Sequence, residues 1–324
     1  MSTFGRIELP AEQDEALRKA VRWEWATIAY TVCTIALIAF VVGNSQSMRT
    51  AWIEDMLSLI PQISFLAALL FIRHPPTRVF PFGLHRATGI GHLVAGVALL
   101  AVGGILAVES IIGLVTVDRP TIGTVQVFGE TIWLGWLMIA VMTITVIGPL
   151  IYGPAKLKLA PKLHNKILYA DADMARADWH TNAASILGVI GIGIGWWWLD
   201  GAAAVFISIG IVWDGIKNTR YAVADLLDER ARTYDDEDTH PLADELLKTM
   251  RRHSWVSDAG LRLRDQGQVF HAEVFFTPDG PTPHVETLDT VVRELRAVDW
   301  KVQDIVLIPV RQIPDEAHRL DAAP

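Results

Sequence analysis

The sequence predicts an α-helical membrane bundle of six spans followed by a small C-terminal α+β ferredoxin-like unit. Three observations carry this. The 324 residues are 51% hydrophobic yet 20% charged, with a mean hydropathy of +0.32, a combination that calls for one lipid-embedded part and one aqueous part. Six windows approach the roughly 20 apolar residues a spanning helix needs: 26–43, 50–72, 89–115, 132–152, 166–190 and 200–217. From about residue 221 the composition turns charged and mixed.

Residues 1–24 are polar, with Arg18, Lys19 and Arg22 before the first apolar run and no small-residue cleavage site after it. They read as an uncleaved cytosolic segment. With that end inside, the inner segments collect Arg73, Arg78, Arg86, Lys156, Lys158, Lys162, Lys166, Lys217 and Arg220, and the outer side only Arg49 and Arg119. This bias predicts a multi-pass protein of the cell membrane with both termini cytosolic and an even number of spans over residues 25–220. Trp196-Trp197-Trp198, with Trp133 and Trp136, fits an outer interfacial belt. Cys33, the single cysteine, excludes a disulfide or thiolate framework and reads as a small buried hydrophobe. A net charge of −8 offers no basic footprint, so nucleic acid is not an expected partner.

Residues 221–240 read as an acidic linker in which Asp235-Asp236-Glu237-Asp238 forms a solvated hinge. The unit at 241–312 follows as a helix over 241–253, strands over 260–264 and 269–276 around a hairpin, a helix over 287–298 and a strand over 302–310. Residues 311–324 are expected to fray, with 313–324 as the tail beyond the unit.

Chemistry concentrates where carboxylates interrupt the apolar windows, because such groups persist in hydrocarbon mainly where they pair, bind an ion or line a wet path. Glu54, Asp55 and Ser58 lie in the second window, and Asp171, Asp173 and Asp178 in the fifth, the least apolar of the six. At about 100° per residue, Asp171, Met174 and Asp178 share one stripe, while Glu54 with Ser58, or Asp55 with Ser58 and Gln62, form overlapping stripes on the other helix. A cation between the two helices would meet Glu54 or Asp55, the Ser58 hydroxyl and Asp178, with Asp171 nearer the cytosol. Oxygen ligands suit harder ions; zinc more often recruits imidazole or thiolate. His180 lies about 200° around from Asp178 and shares a stripe with Asp173, which suggests support or proton coupling rather than direct ligation. His92 and Glu109 in the third window read as inter-helix hydrogen-bonding groups. His240, His253, His271 and His284 in the tail are scattered singles. No serine or cysteine nucleophile with a partnered base, no His-Glu-x-x-His and no phosphate-binding glycine loop is present, so an enzyme is not expected.

Pro75-Pro76 with Pro81-Phe82-Gly83 and Arg86, Ala170-Asp171-Ala172 with Asp178, Trp198-Leu199-Asp200, and Tyr221 to Asp228 stand in an order that resembles the cation diffusion facilitator family, over nearly the whole chain from about residue 24 to 310. The resemblance implies a homodimeric divalent metal cation/proton antiporter with six membrane helices and a cytosolic ferredoxin-like domain. It implies a site of two ligand pairs, falling on Glu54 and Ser58 in span two and on Met174 and Asp178 in span five, with manganese, iron, magnesium, cobalt or zinc as cargo and protons as counter-ion. Met174 stands where relatives often carry histidine. The expected function is proton-coupled efflux by alternating access; the alternative is a non-transporting membrane metal sensor or scaffold with a degenerate site.

Overall fold

The computed structural model describes residues 9–127, 129–267 and 269–320. In order, it forms α1 (Ala11–Val41), α2 (Gln46–Ile72), α3 (Ala87–Val115), β1 (Thr124–Val127), β2 (Glu130–Trp133), α4 (Leu134–Thr145), α5 (Ile147–Leu157), α6 (Ala160–Leu163), α7 (Lys166–Gly193) and α8 (Trp198–Leu226). The tail adds α9 (Leu242–Met250), β3 (Val256–Asp265), β4 (Phe270–Pro278), α10 (Val285–Arg296) and β5 (Val302–Pro309).

Among the described residues, five helices are long and apolar enough to cross a membrane: α1, α2, α3, the α4–α6 stretch and α8. This is a multi-pass membrane bundle. Of the six windows read from sequence, the fifth corresponds to α7, which has 28 residues, or about 42 Å of helix. It packs among α2, α4, α5 and α8, but Lys166, Asp171, Asp173, Arg176 and Asp178 keep it from being apolar enough.

Proline shapes the fourth span. Pro149 cannot donate to the carbonyl of Thr145, and the helix breaks at Val146. The Tyr30 hydroxyl on α1 donates to the Ile144 and Thr145 carbonyls at 3.0 and 3.2 Å and accepts from Gly148 N–H at 3.1 Å, so the break keeps its hydrogen bonds where water is scarce.

The bundle's closest seam joins α3 and α8. His92 and Asn218 share a buried hydrogen bond of 2.9 Å across it, as the sequence suggested for His92. Glu109 instead reaches Arg49, at 3.5 Å. Glycine permits the seam: a Cβ on Gly215 would stand 2.4 Å from the Leu100 nitrogen, a backbone collision on a small-residue membrane interface. Gly215→Ala is therefore expected to cost about 1–3 kcal/mol, read as a fall in thermal stability in detergent. Gly210→Ala, which has open space around it, is the matched control.

The tail sheet has the order β3-β4-β5, with β3 and β4 antiparallel and β4 and β5 parallel. The α10 crossover supplies the parallel pair. Leu246, Leu263, Val274, Phe276, Leu295 and Ile305 form its core.

Several expectations need correction. α1 begins at Ala11, so much of the segment before residue 25 is already helical. Cys33 is exposed on α1 rather than buried, because it falls on the outward face of an apolar helix. The β1–β2 hairpin was not anticipated. The stretch 221–240 is no solvated linker: α8 runs through Leu226, and Asp236 is buried in an ion pair with Lys166 at the start of α7. The described part of the terminal segment does not fray: Ile313 and Ala317 pack on Phe275, and His318 bridges Leu261 through two backbone bonds of 2.8 and 2.9 Å.

Other contacts fasten the tail to the bundle. Lys301 is buried, and its ammonium donates to both Asp265 carboxylate oxygens and to the His164 carbonyl, each at 3.1 Å. His164 holds a left-handed backbone (φ 43°) and packs against His240 and Phe270. Burial, then the Lys301 ammonium, pushes the His164 imidazole down to about 4. A histidine lowered on folding is neutral in both states above about 6.5, and below that the unfolded chain takes up a proton first. Stability is therefore expected to fall between pH ~6.5 and ~4, by at most about 3 kcal/mol from this group. His164→Asn, which tolerates the left-handed backbone, should flatten that slope in a melting series against pH.

Candidate metal centre

Helix α2 is fixed at its first turn. Ser45 caps it by accepting from Met48 N–H at 3.2 Å. The buried Asp200 of α8 accepts from the Ser45 hydroxyl at 2.7 Å, the Gln46 N–H at 2.6 Å and both the hydroxyl and N–H of Ser47, at 2.5 and 3.2 Å. A carboxylate on free N–H groups at a helix start is favourable. Asn165 caps α7 by accepting from Leu168 N–H at 2.9 Å. With both helices set, the polar interruptions face their neighbours in a fixed pattern.

Glu54 turns toward α7. Its Oε1 accepts from the Thr181 hydroxyl at 3.3 Å, less than one turn beyond Asp178, while its Oε2 is buried without a hydrogen-bond partner. Asp55 leans toward α1, its Oδ2 accepting from the Thr34 hydroxyl at 3.2 Å. The carboxyl groups of Glu54, Asp55 and Asp178 lie near enough to interact as charges. Asp214 of α8 adds a further carboxylate to that field. Ser58 donates to the Asp55 carbonyl at 2.8 Å. Met174 packs against the apolar cluster of Leu57, Leu99 and Ile207.

Two predicted members are engaged elsewhere. Asp171 is ion-paired to the fully buried Lys156, which also reaches Glu24 at 3.1 Å, so its carboxylate belongs to a triad between α1, α5 and α7. Asp173 meets Lys217 at 3.5 Å. His180 is exposed and lies on the Trp179 ring, 3.7 Å between centroids. The tail histidines stay dispersed: His253 pairs with Glu294 and His271 with Glu273. Among the described residues, no three His, Cys, Asp or Glu converge closely enough to hold a metal ion.

Sequence reasoning missed Glu24, Lys156 and Asp214. Asp214 carried the same signal as Asp178, a carboxylate inside an apolar window. Glu24 and Lys156 lay at or beyond window edges, where charge is ordinary.

Chemically, the region between α2 and α7 gathers carboxylate oxygens, with the Lys156 ammonium near enough to act on Asp178 and that of Lys217 on Asp214. Like charges in a poorly solvated site repel. A divalent cation relieves that repulsion, and carboxylate and hydroxyl oxygens suit it.

The chain is similar to known membrane transport proteins. The cation efflux transmembrane domain model matches residues 25–227. The uncharacterized transporter YdbO of Bacillus subtilis (strain 168) is 24% identical over 94% of this chain and 99% of its own length. A probable zinc transporter protein of Dictyostelium discoideum is 33% identical over 26% of this chain and 16% of its own. Apolar spans, intramembrane carboxylates and a match over most of the chain lead to one conclusion: the protein belongs to the cation efflux family, the cation diffusion facilitators, and is a metal cation transporter.

Proposed function

We propose that the protein exports a divalent cation from the cytosol in exchange for protons, by alternating access at a site shared between α2 and α7. The observation that carries this reading is Glu54, whose Oε1 meets Thr181 on the helix that bears Asp178 while its Oε2 is buried and unpartnered. A carboxylate oxygen left without a donor in a buried site costs free energy that a cation would recover. Glu54, Asp178 and the Ser58 hydroxyl supply ligands, with Asp55 the alternative to Glu54 and Met174 a weaker thioether donor. Asp171, held by Lys156, lines the approach rather than binding cargo, and Asp173 with His180 serves at most as outer support.

Because these ligands are not drawn together, loading requires α2 and α7 to close on the ion and opening lets it go. Proton and metal compete for the same oxygens, so the acidic side favours release. A set dominated by oxygen favours manganese, magnesium or ferrous iron over zinc or cobalt. The reading includes six spans over 25–220, both termini cytosolic, and a ferredoxin-like tail over 241–312 through which two copies dimerise.

Proteoliposomes with an imposed pH gradient test the scheme. Metal uptake into acidic-lumen vesicles should rise with the gradient and collapse when an ionophore dissipates it; uptake indifferent to the gradient refutes exchange.

A further inference from the structure

Between α2 and α3, at the end nearer the tail, lies a cavity of about 720 Å³, within the roughly 300–1,000 Å³ of small-molecule sites. Small residues help make the space: Ala67 and Ala68 on α2 and Ala87 and Gly91 on α3 line it. Its mouth is apolar and outward-facing, with Val79 78% exposed and Phe80 52%. Its lining is also cationic. Arg86 and the tail's Arg264 both stand there, sharing the single carboxylate of Asp228, and the Arg264 Nε is buried without a hydrogen-bond partner.

The geometry points to a binding site for an anionic phospholipid of the tail-side leaflet, its acyl chain in the groove and its phosphate on Arg86 and Arg264. It rests on reading α2 and α3 as spans and not on transport. Two guanidiniums against one carboxylate leave an excess positive charge beside an apolar channel, the complement of an amphiphile with an anionic head. A second copy is a poorer occupant, because a two-fold contact would bring each arginine pair toward its own equivalent. Since Arg264 belongs to β3, the lipid would touch bundle and tail at once.

The test uses full-length protein in nonionic detergent, with retained lipid read by native mass spectrometry. Phosphatidylglycerol should be retained over phosphatidylcholine of the same chains. Arg264→Gln should lower phosphatidylglycerol retention about fivefold, the effect of one basic side chain near an anionic surface, while Arg264→Lys keeps most of it. Ala67→Phe should reduce retention of both lipids. An unchanged melting temperature certifies each variant's fold. Equal retention of the two lipids, or no change in Arg264→Gln, overturns the proposal. So does displacement by inorganic phosphate at equal concentration, which would make the site a soluble-anion site. Disulfide formation between copies of Phe80→Cys in a Cys33→Ser background would assign the groove to a second protomer and overturn it as well.

Discussion

Asp178→Ala in reconstituted protein is expected to abolish metal flux while leaving the fold intact. Mutating groups that merely support a ligand costs about 10–100-fold in metal affinity, so deletion of a proposed ligand should cost at least about 100-fold. The sign of the stability change separates this from a structural lesion. Asp178 stands among carboxylates that share its field, Glu54, Asp55 and Asp214, and removing one like charge relieves repulsion. The metal-free variant should melt no lower than the wild type. Dye-reported flux and a melting curve on the same preparation decide it: retained flux refutes the ligand role, and lost flux with a collapsed fold refutes the reason given for it.

Lys156→Met is expected to do the opposite, unfolding the protein before transport can be measured. Lys156 is buried with two carboxylates, Glu24 at 3.1 Å and Asp171 closer still. Removing the ammonium strands them, and breaking a buried pair in this way costs about 3–5 kcal/mol. Replacing the whole triad, by Lys156→Met with Glu24→Gln and Asp171→Asn, should recover much of that loss, since a neutral hydrogen-bonding cluster no longer pays for desolvated charge. Thermal unfolding in detergent of the single and triple variants tests both statements. A single variant as stable as the wild type would mean that Lys156 does not compensate these groups.

Much of this architecture was legible because lipid enforces a simple rule. Runs of apolar residues had to be helices, and each apolar window has a helix in the structure. The tail strands were found within a few residues, since Leu261, Leu263, Val274 and Phe276 alternate as a half-buried sheet must. Periodicity could not show what distant residues share. The pairing of Lys156 with Asp171, and of Asp236 with Lys166, depends on packing between segments far apart in sequence, so Asp171 read as a ligand candidate and Asp236 as solvent-exposed. The break at Val146 was not foreseen within the 132–152 window: Pro149 alone does not show where a helix gives way, and its brace, Tyr30, lies on a distant segment. The residues after 310 looked like an end because their polarity hides the few apolar contacts, Ile313 and Ala317, that dock them. In the centre, the 100° rule assigns His180 and Asp178 to different faces, yet could not say that Asp55 would turn to Thr34 while Glu54 turned to Thr181.

Asp200 pins the first turn of α2 to the first turn of α8, and this makes α2 a lever rather than a piston. Glu54 sits eight residues, about 12 Å, from that fulcrum, whereas Ile72 at the far end is about 39 Å away. A swing that carries the Glu54 backbone 1 Å toward α7 therefore carries the tail-side tip of α2 about 3 Å, so a small adjustment around an ion is magnified at the end of the helix next to Arg73 and the following loop.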